Sequence, residues 1–79
     1  MNVTVFSKDN CPNCVKAMVL LSDYNPTVFK VGVDISRDEF FIKFPGIKTL
    51  PQIIINGEHV GGFTALEQWV AFNNIDDDF

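Results

Sequence analysis

The stretch VTVFSKDNCPNC, residues 3–14, decides the fold of this chain. Residues 3–6 are β-branched or aromatic, which predicts a short buried strand. Residues 7–10 are polar and predict a loop. Pro12 follows Cys11 where a helix would begin, and proline is favoured in the first turn of a helix. The stretch therefore predicts a strand, a loop and a helix, with Cys11 and Cys14 at the start of the helix.

The spacing of the two cysteines gives them different environments on the predicted helix. Cys11 lies at its N-terminus, where unpaired N–H groups and the helix dipole stabilise an anion. This position lowers the pKa of a thiol and supplies thiolate, the species that attacks disulfides. Cys14 lies one turn further on, on the apolar face that continues through Ala17, Met18 and Leu21. The pattern predicts an accessible nucleophile, Cys11, and a sheltered resolving thiol, Cys14.

Strand and helix signals alternate along the middle of the chain. Residues 27–35, TVFKVGVDI, predict a second strand. Residues 36–39, SRDE, fit a capping box, in which a serine is followed by a glutamate three positions later. The capping box opens a short helix, whose inner side we assign to Phe40, Phe41 and Phe44.

The last third of the chain predicts a hairpin and a closing helix. Residues 52–55, QIII, predict a strand that is covered on both faces. Asn56-Gly57 is a strong signal for a tight turn, and residues 58–61 form the returning strand. Residues 64–67, TALE, fit a second capping box, which opens a helix with Leu66, Trp69 and Val70 inside. Residues 73–79 predict a frayed acidic tail.

The elements together predict an α/β fold with the order β-α-β-α-β-β-α. The first two strands enclose a crossover helix and should be parallel. The last two strands form an antiparallel hairpin. We therefore predict a mixed four-stranded sheet with three flanking helices, built as a single domain across residues 1–79.

Composition excludes several classes of partner. The net charge of −4 argues against nucleic acid, which is bound by basic patches. No apolar stretch approaches the roughly 20 residues needed to cross a bilayer, and no signal peptide is visible. We therefore expect the protein to stay in the reducing cytosol, where a disulfide is usually transient and catalytic. We also expect a monomer. A bridge between Cys11 and Cys14 closes too small a loop to constrain the unfolded chain much, so we assign the pair to chemistry.

Three motifs, in this order and spacing, resemble those of the glutaredoxin family. They are Cys11-Pro12-Asn13-Cys14, Thr49-Leu50-Pro51-Gln52 and Val60-Gly61-Gly62-Phe63. The resemblance covers nearly the whole chain and implies a thioredoxin-like fold, with thiol–disulfide oxidoreductase activity on protein disulfides and glutathione mixed disulfides. It also implies that Pro51 has a cis peptide bond and faces the active site, so that Pro12 and Pro51 support the cysteines.

The resemblance further implies a binding surface for glutathione, the co-substrate of the family. Lys8, Asn13, Leu50 and Pro51 match this surface, and Leu50 offers backbone groups to the cysteinyl moiety. Gly62, Phe63 and Thr64 lie at a helix N-terminus suited to the γ-glutamyl carboxylate. The glycine carboxylate is assigned to Lys43 or Lys48.

The sequence departs from the family pattern at two places on this surface. Asn13 stands where the family commonly has tyrosine, and the ring that packs beside the sulfur is lost. Thr64-Ala65 stands where an acidic residue is common, so a contact to the glutathione amine is missing. Both departures weaken the glutathione assignment and leave the dithiol chemistry intact.

Alternative functions remain open at this point. The nearest is a glutaredoxin-like redoxin that thioredoxin reductase recharges. Another is a metal-binding module, either an iron–sulfur cluster held by Cys11 of two chains or a zinc site. Zinc needs about four ligands and only His59 would add a third, so we expect no metal. A third is a silent interaction domain, against which both cysteines argue. The resemblance also suggests ribonucleotide reductase as an electron acceptor.

Overall fold

The computed structural model describes residues 2–73, which form four strands and three α-helices. The elements in chain order are β1 (Val3–Ser7), α1 (Pro12–Leu20), a 3₁₀ turn (Ser22–Tyr24), β2 (Thr27–Lys30), α2 (Arg37–Lys43), β3 (Gln52–Ile55), β4 (Glu58–Gly61) and α3 (Phe63–Asn73). This order confirms the predicted β-α-β-α-β-β-α arrangement. Residue 73 ends α3, and residues 74–79 of the predicted acidic tail lie outside the described residues.

The four strands form one mixed sheet with the order β2-β1-β3-β4. β1 pairs with β2 in parallel, and β3 is antiparallel to both β1 and β4. The crossover from β1 through α1 to β2 thus joins parallel neighbours, as the sequence predicted. β1 is an interior strand, so the loop that follows Ser7 leaves the sheet near the middle of the end at which β1 terminates. That loop carries Cys11.

Both faces of the sheet are covered by helices. On one face, α1 and α3 pack against the β1 and β3 side chains, and the buried cluster consists of Val3, Val5, Ala17, Leu21, Ile53, Ile55 and Leu66. On the other face, α2 contributes Phe40 and Phe44, which pack against Phe6 and Ile54. The isoleucines of β3 therefore alternate between two cores, which confirms the prediction of a strand covered on both faces.

The predicted capping box of α2 is present. Ser36 Oγ accepts a hydrogen bond from the Glu39 N–H at 3.0 Å, and Glu39 Oε1 accepts one from the Ser36 N–H at 3.2 Å. The assignment of three phenylalanines to the inner side of this helix is wrong for Phe41, which is 41% exposed. One residue turns an α-helix by about 100°, so Phe41 cannot share the face of Phe40 and Phe44, which are four residues apart.

The second strand is shorter than the sequence predicted. β2 ends at Lys30, and the chain then turns instead of continuing as a strand to Ile35. Asp34 Oδ2 accepts a hydrogen bond from the Lys30 N–H at 2.9 Å, and Gly32 takes a φ of +94°, which only glycine adopts readily. Beyond Lys30, the predicted strand is represented by an isolated bridge between Val31 and Ile35.

The turn of the last hairpin has the predicted geometry. Asn56 and Gly57 have φ values of +53° and +84°, as a type I′ turn requires at both central residues. Among residues 2–73, no helix has both the length and the apolar character that a membrane span requires.

Candidate active site

Cys11 lies at the junction between the loop after β1 and the first turn of α1. Asn10, just before it, takes a φ of +54°, and Cys11 is the N-cap residue with extended backbone. Pro12 fills the first helical position, where no N–H is needed. The Cys11 Sγ accepts a hydrogen bond from the Cys14 N–H at 3.2 Å. A backbone donor at the helix N-terminus therefore points at the sulfur, which favours the thiolate form.

Cys11 and Cys14 form a disulfide, with their Cα atoms 5.2 Å apart. Cys14 is 0% exposed, whereas Cys11 is 8% exposed. The order of accessibility matches the sequence prediction, because only Cys11 of the two presents surface to a substrate. Cys11 is nevertheless more covered than expected, since its Sγ lies 3.7 Å from the carbonyl oxygen of Leu50.

The loop that ends at Pro51 is the second component of the site. The Leu50–Pro51 peptide bond is cis, which confirms the conformation that the sequence resemblance implied. Pro51 is buried and the Leu50 carbonyl approaches the Cys11 sulfur, so the two motifs meet in space. Gly62 lies against the same loop, because a Cβ at its position would lie 3.5 Å from the Pro51 carbonyl oxygen.

A cleft of about 210 Å³ runs beside this loop and carries three cations, Lys8, Arg37 and Lys48. We call it the cationic groove, and its other lining residues are Val31, Phe40, Phe41 and Leu50. Among residues 2–73, no acidic side chain lines it. Lys30, by contrast, forms an ion pair with Asp9 at 3.0 Å. Both residues line a second depression, which Lys8 and Cys11 also line. The protein is acidic overall, yet the groove at Leu50 concentrates positive charge.

The structure separates the two lysines that were considered for a carboxylate. Lys48 lines the cationic groove, whereas Lys43 lines a different depression with Phe6 and Asp34. Arg37 joins Lys48 in the groove, and the sequence reasoning did not single it out. A signal was available, because Arg37 occupies the first position of α2, where the helix dipole disfavours a cation.

The remaining predicted residues occupy different parts of the surface. Asn13 is exposed in the first turn of α1, beside the cysteines. Phe63 packs against the core and lines a shallow depression between α1 and α3. The predicted capping box at Thr64 is wrong, because α3 begins at Phe63 and the Leu66 N–H donates to the Gly62 carbonyl at 2.9 Å. The N-terminus of α3 is thereby brought against Pro51 through Gly62.

The described residues contain no group of three or more His, Cys, Asp or Glu side chains arranged to hold a metal ion. His59 lies on β4 and bonds to Gln52 rather than to either cysteine.

A helix that begins at a C-x-x-C pair after a central strand, facing a cis-proline loop, defines a thioredoxin-fold thiol–disulfide oxidoreductase. Thiolate at the helix N-terminus attacks a disulfide, and the second cysteine completes the exchange. Cys11 and Cys14 are the redox-active pair of this enzyme.

Comparison with known proteins narrows the class. The glutaredoxin family model matches residues 3–60. Glutaredoxin 3 of Escherichia coli is 36% identical over 63 residues, covering 77% of this chain and 76% of that protein. Chicken glutaredoxin-1 is 38% identical over 72 residues, covering 84% and 70%. The structure of reduced E. coli glutaredoxin superposes with a TM-score of 0.75 at 28% identity, covering 96% and 99%. The chain belongs to the glutaredoxin family.

Proposed function

We propose that this enzyme takes its electrons from glutathione and passes them to protein disulfides and glutathione mixed disulfides. The observation that carries the proposal is the cationic groove, which adjoins Leu50, whose carbonyl oxygen lies 3.7 Å from the Cys11 sulfur. Glutathione has two carboxylates and a thiol in one short extended chain. A groove with three cations beside a reactive sulfur matches that distribution of charge.

The proposed exchange proceeds in balanced steps. The Cys11 thiolate attacks a substrate disulfide, forms a mixed disulfide and releases one substrate sulfur as a thiolate. Cys14 then attacks the Cys11 sulfur, releases the second substrate thiolate and leaves the Cys11–Cys14 disulfide. One glutathione thiolate reopens this bond, and a second releases glutathione disulfide and restores both thiols. Glutaredoxin potentials, at roughly −200 to −230 mV, lie near the glutathione pool, so the exchange is reversible.

The proposed pose of glutathione follows the chemistry of the surrounding groups. Its glycine carboxylate lies in the cationic groove, against Lys8, Arg37 and Lys48. Its cysteinyl backbone pairs with Leu50, which brings its sulfur to Cys11. Its γ-glutamyl carboxylate lies at the N-terminus of α3, where the first backbone N–H groups are available for an anion.

The same proposal includes a cytoplasmic monomer and ribonucleotide reductase as one protein acceptor. Analytical ultracentrifugation tests the monomer. Mixing the reduced enzyme with oxidised ribonucleotide reductase and counting the thiols gained tests the acceptor, and no gain would remove it.

Turnover in two coupled assays tests the choice of reductant. One assay supplies glutathione and glutathione reductase, the other supplies thioredoxin reductase, and both follow NADPH consumption with a glutathionylated peptide as substrate. We expect turnover in the first assay and little in the second. Turnover only with thioredoxin reductase would replace the proposal with the redoxin alternative.

Reversing the charge of Lys8 is expected to weaken binding of the glutathionylated substrate. Lys8→Glu should raise the apparent KM roughly threefold to tenfold and change kcat much less, because it removes binding common to the ground state and the transition state. The effect should shrink as salt rises, because exposed charges are screened over about 8–10 Å at moderate ionic strength.

Lys16→Glu is the matched control, since it makes the same charge change on an exposed residue of α1 that does not line the cationic groove. A KM increase of equal size in both variants would mean that overall charge, not the groove, attracts the substrate.

A further inference from the structure

A buried amide connects the cis-proline loop to the far strand of the sheet. Gln52 follows Pro51 directly and is 3% exposed. Its Nε2 lies 3.0 Å from the carbonyl oxygen of Thr49 and 3.4 Å from the Thr49 hydroxyl oxygen. Its Oε1 lies 2.7 Å from Nε2 of His59 on β4. Gln52 thereby bonds to the residue that starts the loop and to a residue across the hairpin.

The partners fix the direction of these hydrogen bonds. A backbone carbonyl only accepts, so the Gln52 amide nitrogen donates to Thr49 and its oxygen faces His59. His59 must therefore carry a hydrogen on Nε2 and donate it to Oε1. The imidazole and the imidazolium both provide this donor, so protonation of His59 does not break the connection.

The fold places His59 where it reaches Gln52. The register between β3 and β4 shifts by one residue, because Ile53 pairs with Gly61 while Ile54 pairs with His59. His59 therefore shares the α2 face with Ile54 and Gln52. Its ring lies 4.8 Å from the ring of Phe44, which is part of the core under α2. The aromatic contact holds the imidazole in place for its hydrogen bond.

Thr49 immediately precedes Leu50, the residue whose carbonyl oxygen lies 3.7 Å from the Cys11 sulfur. We propose that Gln52 and His59 are positioning residues, which hold the backbone of the Thr49–Leu50–Pro51 loop in the place where it pairs with the glutathionyl group of the substrate. The inference rests on the proposed function, since it needs a substrate that pairs with Leu50. The two residues touch neither sulfur and act through the loop.

Four single variants and one double variant test this role. Gln52→Met keeps the length of the side chain and removes its hydrogen bonds. His59→Phe keeps an aromatic ring packed against Phe44 and removes the N–H that donates to Gln52. His59→Gln supplies an N–H donor again but has no ring. Ile53→Val is the matched control, because it alters a fully buried residue of the same strand on the opposite face. Each variant is measured for kcat and KM with a glutathionylated peptide, for the rate of Cys11 alkylation by iodoacetamide, and for Tm.

We expect Gln52→Met to lower kcat/KM about tenfold, mainly through KM, because a displaced loop would lose about one hydrogen bond to the glutathionyl group of the substrate, and one hydrogen bond has an effect of this size. His59→Phe should lower it less, and His59→Gln should recover most of the loss. The double variant Gln52→Met/His59→Phe should be no worse than Gln52→Met alone, because both break one connection. Alkylation of Cys11 should stay close to wild type in every variant, because a small reagent needs no loop to bind it.

Two outcomes would overturn the positioning role. One is an unchanged kcat/KM in Gln52→Met with a Tm lowered as in Ile53→Val, because the amide would then serve stability alone. The other is a loss of Cys11 alkylation that parallels the loss of kcat/KM, because the nucleophile itself would then be disturbed. Failure of the proposed function is recognised separately, since wild type would then show no turnover with glutathione. In that case the amide resonance of Leu50 still reports whether each variant moves the loop, and an unmoved resonance would also overturn the role.

Discussion

Replacing Cys11 with serine is expected to abolish every disulfide exchange that this enzyme performs. Cys11 is the only one of the two cysteines with exposed surface, and its sulfur accepts a hydrogen bond from the Cys14 N–H at the start of α1. A serine hydroxyl does not form the mixed disulfide on which each step depends. Turnover with both protein disulfides and glutathionylated peptide should fall to the background rate of glutathione alone.

Replacing Cys14 with serine is expected to abolish the reduction of protein disulfides and to leave the removal of glutathione from mixed disulfides intact. Without the resolving thiol, a protein mixed disulfide on Cys11 cannot close to the Cys11–Cys14 bond, so reduction of protein disulfides should stop. Removal of glutathione from a mixed disulfide needs only Cys11 and a second glutathione, so this activity should persist. Stability measured on the reduced proteins is the control, because each change replaces one small side chain. Retention of protein disulfide reduction in Cys14→Ser would contradict the assigned roles.

Replacing Gly61 with alanine is expected to produce the largest loss of stability among the glycine positions. Gly61 has a φ of +124°, and a Cβ there would lie 3.0 Å from the Cβ of Ala65 in the first turn of α3. Backbone strain and the forced shift of α3 together should cost about 2–4 kcal/mol. For a domain of this size, that loss should lower Tm by more than about 10 °C.

Gly57→Ala is the control for backbone strain alone. Gly57 also has a positive φ, +84°, but a Cβ there would meet nothing within 4 Å. Its cost should be about 1–2 kcal/mol, the usual penalty for a non-glycine residue in the left-handed region. Chemical denaturation of both variants gives the two free energies of unfolding. Equal losses would mean that the contact with Ala65 contributes nothing.

Local patterns in the sequence were sufficient to predict most of the elements. Runs of β-branched, aromatic and apolar residues located β1 and β3, the capping box located the start of α2, and Asn56-Gly57 located the hairpin turn. Each of these signals involves residues that contact one another within a few positions. The pair of cysteines and Pro51 were predictable because motif order, rather than local propensity, placed them together.

The errors in the prediction have identifiable physical causes. The run 27–35 suggested a long strand, but the Asp34 side chain bonds to the Lys30 N–H and Gly32 permits a turn. Thr64 is of a residue type that favours a cap, but Gly62 lies against the Pro51 carbonyl and takes the capping place. A side-chain hydrogen bond within the run therefore ended β2, and a tertiary contact set the start of α3.

Parts of the site could not be predicted because they depend on tertiary contacts. Arg37 and Lys48 lie in one groove only after α2 packs on the sheet and the loop to β3 returns beside it. The bond between Gln52 and His59 depends on a register shift between β3 and β4, which no local signal specifies. Charge and hydrogen bonding at the site therefore had to come from the structure.

In the proposed reaction, Cys11 is the sulfur that carries glutathione. Incubating reduced Cys14→Ser and Cys11→Ser separately with glutathione disulfide, and mapping the adducts by mass spectrometry, tests this assignment. A glutathione adduct is expected to form rapidly on Cys11 in the first variant. Little or none is expected on Cys14 in the second, because Cys14 is fully buried. An adduct that forms on Cys14 as fast as on Cys11, or on neither cysteine, would mean that Cys11 is not the sulfur that carries glutathione.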